Sequence, residues 1–191
     1  MLRSFMQVLC TGVLLGAPAI RAAEVAGAAA PPPVAPPPSG VPAAGPPPGG
    51  PPPPARGPAL DVAIAGVRAA IAACAAQGLK VTAIVADSSG ALKAGMVSDG
   101  VNGMTARFAL GKIAVTVDFR KPSGVVGAQA KTDADLAARL KANPAYIPWP
   151  GAVPLWIGEE LIGAIAVSGA TGEQDEACAK AAVEKIRAQL K

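Results

Sequence analysis

Apolar residues recur at three- and four-residue spacing in Leu60, Ile64, Val67, Ile71 and Cys74, so the pattern predicts a first helix over 60–76 with that stripe turned inward. Gly78 suits its C-terminal stop. The β-rich run Val81–Ala86, the turn Asp87-Ser88-Ser89-Gly90 and the run Ala91–Val97 read as a hairpin. Ser98–Asn102 is a loop ending in a cap residue, and a second helix is expected over 104–117. Pro122 and Gly124 open a less regular stretch, after which Asp133–Ala142 is helical in composition and Asn143-Pro144 ends it. Ala145–Pro154, with three prolines, is a poor central strand. Leu155–Ile157, a turn around Gly158-Glu159-Glu160 and Leu161–Val167 form a second hairpin. Thr171 and Gln174 have capping-box spacing and introduce a last helix over 173–190. Helix, hairpin, helices, hairpin, helix demands no parallel crossover. The fold class is therefore α/β in the α+β sense: one domain with an antiparallel sheet covered by helices.

This pattern starts only near Ala59. Residues 1–23 have the parts of a secretory signal: Arg3, a mostly apolar run from Phe5 to Leu15, and small residues up to Ala22 and Ala23, where cleavage is expected. The apolar run is short of the roughly 18 to 20 residues that span a bilayer, so no membrane span is expected after cleavage. Cys10 follows Gln7-Val8-Leu9, which is not a lipobox. Fifteen of the 21 prolines fall between Pro31 and Pro58, so residues 24–58 can build neither helix nor ladder and read as a disordered, proline-rich spacer. A periplasmic or secreted location follows, with residues 59–191 as the functional domain.

Composition narrows the chemistry. Residues 59–191 hold 14 basic and 12 acidic residues, scattered and without a basic stripe, so no nucleic-acid partner is expected. The chain has no histidine. That removes Ser–His and Cys–His nucleophile systems and histidine-built zinc sites. Gly163, Gly169 and Gly172 match neither a Walker loop nor a dinucleotide fingerprint. Cys74 and Cys178, on the first and last helices, leave two alternatives: a disulfide in an oxidising compartment, or buried thiols acting as small hydrophobes.

Pro150–Ile186, PGAVPLWIGEELIGAIAVSGATGEQDEACAKAAVEKI, resembles the C-terminal half of the GlcG/HbpS-type haem-binding (haem-degrading) family. Ile84–Leu92 (IVADSSGAL) resembles that family's first hairpin, and Lys112, Arg120-Lys121 and Ser123 fall at the spacing of its central helix and following loop. The resemblance implies a profilin-like α/β sandwich, assembly into a homo-oligomer, and haem or a related tetrapyrrole as cofactor or small-molecule partner. Three positions depart from the pattern: Ala152 replaces a glycine, Val115 a threonine, and Met96-Val97-Ser98-Asp99 an arginine-containing hairpin end.

With a haem iron as ligand, the remaining axial types are Tyr146, Met96, Met104, Lys112 and the two domain cysteines. Tyr146, the metal-ligand candidate, lies in the proline-rich loop beside Trp149, and the two could form an aromatic wall over a planar ring or simply pack the loop on the sheet. Lys112 and Arg120 are candidates for pairing with propionates, or for solvated charges on a helix face. Asp175 suits the start of the last helix and Thr171 its cap. The first reading is an exported haem- or tetrapyrrole-binding protein that binds, buffers or senses, with no catalytic residue assigned. The second is an oligomeric structural or interaction module that has lost the ligand. An enzyme acting on haem or a small hydroxy acid ranks last.

Overall fold

The computed structural model describes residues 54–191. The signal-like segment, Cys10 and most of the spacer lie outside the described residues. The elements are α1 (Leu60–Ala75), β1 (Thr82–Asp87), β2 (Leu92–Val97), α2 (Met104–Phe119), α3 (Ser123–Gln129), α4 (Ala134–Ala142), β3 (Ala152–Ile157), β4 (Glu160–Ser168) and α5 (Gly172–Ile186), followed by a 3-10 turn over Arg187–Gln189. The four strands form one antiparallel sheet in the order β2-β1-β4-β3. This is the expected α+β domain, with β2 and β3 at the edges.

Period-two alternation in the central strands builds two cores. Ala83 and Val85 of β1, with Ile165 and Val167 of β4, pack toward α1 and α5. Ile84, Ala86, Ala164 and Ala166 point to the opposite face, against Ala109 and Ile113 of α2. The sheet is thus covered on both sides, and a third, smaller cluster of Val115, Val126 and Leu140 ties α2 to α3 and α4.

The α1 stripe differs from expectation. Ala63, Gly66, Val67, Ala70 and Cys74 face inward, while Leu60 and Ile64 remain exposed. Small side chains win the inner face because α1 lies close to α5: a Cβ on Gly66 would stand 3.1 Å from Ile186 Cδ1. The two helices are joined by a disulfide between Cys74 and Cys178, whose Cα atoms are 5.5 Å apart. Of the two cysteine alternatives, the bridge is the one realised.

Two further stretches are more regular than their composition suggested. Ser123–Gln129 is a helix, opened by Pro122, whose φ of −53° already suits a helix start. Strand β3 begins at Ala152 and includes Pro154, which is tolerated because β3 is an edge strand with one neighbour. The last helix carries the expected capping box, with Gln174 N–H donating to Thr171 Oγ1 and Thr171 N–H to Gln174 Oε1. Upstream of Ala59 the chain is already packed: Ser88 N–H donates to Arg56 O at 2.8 Å, and Pro58 is buried.

Candidate functional site

The proline-rich loop between α4 and β3 lies on α2 and α3. It can do so because glycines face it. A Cβ on Gly111 would stand 2.3 Å from Ile147 Cγ1, and one on Gly127 only 1.9 Å from Pro148 O. Ile147 N–H donates to Gly111 O at 3.2 Å, and the buried Ser123 hydroxyl donates to Trp149 O at 2.6 Å while accepting from Ala152 N–H at 3.1 Å. The Trp149–Gly151 segment is thereby pinned at both ends. Its indole projects beside Phe108 of α2, with ring centroids 5.6 Å apart and planes tilted by 52°.

Two clefts meet at Phe108. One, of about 340 Å³, lies between α2 and the loop and is lined by Met104, Arg107, Leu110, Ala114 and Ile147. The other, of about 410 Å³, lies between α2, Trp149 and the start of α5 and is lined by Thr105, Pro150, Ser168 and Gly169. Trp149 remains 54% exposed and Met104 43%, large apolar groups held at the surface where a flat ligand could cover them. Arg107 is exposed on this rim and, among the described residues, has no carboxylate within ion-pair distance.

Lys112 forms the floor of the second cleft and is not a solvated charge. Its side chain is 3% exposed, and Nζ donates to Asp175 Oδ2 at 2.8 Å and to Val167 O at 2.9 Å. Asp175 also accepts from Ala170 N–H at 3.0 Å. Two opposite charges out of water hold each other, so this ammonium is committed to joining α2, β4 and α5. Gly151 is threaded past the pair with φ of +131°, and a Cβ there would stand 2.4 Å from Lys112 Nζ and 2.7 Å from Val167 O. Gly151→Ala is expected to lower stability by about 2 kcal/mol through overpacking and backbone strain. A urea midpoint equal to that of the unsubstituted protein would contradict this packing.

The other sequence candidates lie elsewhere. Tyr146 and Trp149 do not share a wall. The Tyr146 ring packs edge-on against Phe119, centroids 5.7 Å apart, with Val115, Val126 and Leu140 in the same cluster. Phe108 and Phe119 are eleven residues apart on one helix, about 16 Å along its axis. The Tyr146 hydroxyl donates to Asp118 Oδ2, and this bond, with some desolvation, raises its pKa above the ordinary tyrosine value. Arg120, in the left-handed conformation at the end of α2, stacks on Trp156 at 5.2 Å, remote from Phe108. Met96 pairs with Ala83 and so faces the α1 side of the sheet, away from α2. The structure thus groups Met104, Trp149 and Lys112 around the clefts and leaves out Tyr146, Arg120 and Met96. Phe108 and Arg107 were not singled out by the sequence. Their signal was the α2 pattern Met104, Arg107, Phe108, Gly111, in which the exposed flank of a helix carries large apolar groups.

Among the described residues no group of three or more histidine, cysteine or acidic side chains could hold a metal ion, and no helix is long and apolar enough to cross a membrane. What the site offers is an aromatic and aliphatic surface with Arg107 at the rim of one cleft and Glu173 at that of the other, carried on a helix-covered antiparallel sheet.

That combination defines a small α+β binding domain. Residues 59–184 match the family described as haem degrading protein HbpS-like, and the chain belongs to that family. Among solved structures, a double mutant of HbpS from Streptomyces reticuli is 25% identical with a TM-score of 0.64, covering 78% of this chain and 98% of the other. Klebsiella pneumoniae ORFY is 22% identical with a TM-score of 0.64, covering 68% and 90%. A PduOC:heme complex is 18% identical with a TM-score of 0.62, covering 67% and 94%. No curated protein matches the chain.

Proposed function

We propose that this is an exported protein that binds haem or a related tetrapyrrole over Phe108 and Trp149, and that it works by binding, buffering or sensing. The observation that carries the reading is the pairing of exposed Trp149 with half-buried Phe108 at the meeting of two clefts in an HbpS-like domain. A macrocycle laid across these rings would cover Met104 and Trp149, and Arg107 would reach a propionate with a charge-assisted bond. The haem named for a structural relative and in the family description supports the choice of ligand. The disulfide supports export, because such bridges persist in oxidising compartments. Assembly into a homo-oligomer belongs to the same proposal and is supported by the free edge of β2, where Leu92, Met96 and Val97 remain exposed.

The test is a haemin titration of the purified protein followed at the Soret band. Saturable binding is expected, weakened by about tenfold in Phe108→Ala, the equivalent of one aromatic contact. Arg120→Ala should bind as tightly as the unsubstituted chain. Unsaturable absorbance, or a loss confined to Arg120→Ala, would overturn the assignment and favour an interaction module without the ligand.

A further inference from the structure

Among the described residues, the side chains singled out as able to ligate a haem iron are, with one exception, engaged or turned away. Histidine is absent from the chain. Cys74 and Cys178 are bonded to each other in the α1–α5 core. The Lys112 ammonium is held by Asp175 and Val167 O, and a free amine would have to abandon a buried carboxylate. Tyr146 packs on Phe119 and its hydroxyl donates a hydrogen bond to Asp118, an arrangement that disfavours the phenolate a ferric ion requires. Met96 lies on the α1 side of the sheet. Met104 alone remains at the cleft, exposed at the first residue of α2, and a thioether typically serves haem iron together with a histidine. The macrocycle and its carboxylates fit this site; the iron does not.

We propose that the cleft recognises a tetrapyrrole by its ring face and its carboxylates, with no bond from this chain to the central metal, so that metal-free porphyrin dicarboxylates are ligands on equal terms with haem. This deepens the haem-binding proposal and rests on it. The ring face meets Phe108 and Trp149, where stacking depends on area and polarisability and not on the metal. A carboxylate meets Arg107, whose planar fork can take it in bidentate fashion. Neither contact changes when iron is removed.

The experiment compares haemin with protoporphyrin IX by quenching of Trp149 fluorescence in a Trp156→Phe background, which removes the only other tryptophan. The two dissociation constants are expected to differ by less than about tenfold, and Met104→Ala to leave their ratio unchanged. Arg107→Ala should weaken both ligands alike. Haemin binding tighter by about tenfold or more, with the advantage abolished in Met104→Ala or Tyr146→Phe, would overturn metal-independent recognition while leaving the haem proposal standing. Saturable binding of neither ligand would overturn both.

Discussion

Lys112→Ala is expected to destabilise the domain by about 3–5 kcal/mol, a large share of the roughly 5–15 kcal/mol that holds a domain of this kind together. The substitution removes more than one ion pair. Asp175 would remain almost fully buried with its Oδ2 unpaired, and Val167 O would lose its donor. An uncompensated charge in a low-dielectric interior is far less favourable than the intact pair is favourable. The double variant Lys112→Met, Asp175→Leu should therefore recover part of the loss, because it removes both charges, although leucine is larger than aspartate. Recovery would be incomplete, since Ala170 N–H would lose its acceptor. Urea unfolding of the three proteins checks this. A single-variant loss below about 1 kcal/mol, the range of exposed pairs, would show that water reaches the pair.

Removal of the disulfide is the second large effect. Cys74 and Cys178 are 104 residues apart in the chain, so the bridge restrains a long loop of the unfolded ensemble. Loop-closure entropy for that span approaches about 4.7 kcal/mol, and loss of a native bridge in a small domain typically lowers stability by about 2–5 kcal/mol. The double substitution Cys74→Ala, Cys178→Ala keeps the site apolar and should lower the melting temperature by about 8 °C or more. Both sulfurs are buried, so a reductant should act on the native protein only as fast as α1 and α5 open. An unchanged melting temperature, with the bond verified by mass in the parent protein, would contradict the stabilising role.

Much of the fold was legible because local signals agreed with it. The two hairpins, the capping box at Thr171 and the long α2 all follow from short-range pattern. The misses share a cause in tertiary packing. Alanines and Gly66 of α1 took the inner face from Leu60 and Ile64, since close approach to α5 rewards small side chains more than hydrophobicity does. Helix α3, with two glycines in seven residues, has little propensity and exists because the proline-rich loop seats on it. The site was legible in its residue types and not in their grouping. Trp149 and Met104 stood out by rarity, whereas Arg107 and Phe108 looked like ordinary helix residues. Lys112 could not be known as buried from its own neighbours, because Asp175 lies 63 residues further on.

The decisive experiment is a residue-resolved NMR map of haemin binding to the purified protein. The iron broadens signals near it, and a porphyrin ring shifts those above and below its plane. Signals of Met104, Phe108, Leu110, Ala114 and Ile147 are expected to broaden or shift first and most, with Trp149 Nε1–H among them. Perturbation centred instead on Tyr146, Phe119 and Arg120, or on Met96 across the sheet, would place the ligand elsewhere and contradict a tetrapyrrole cleft on α2.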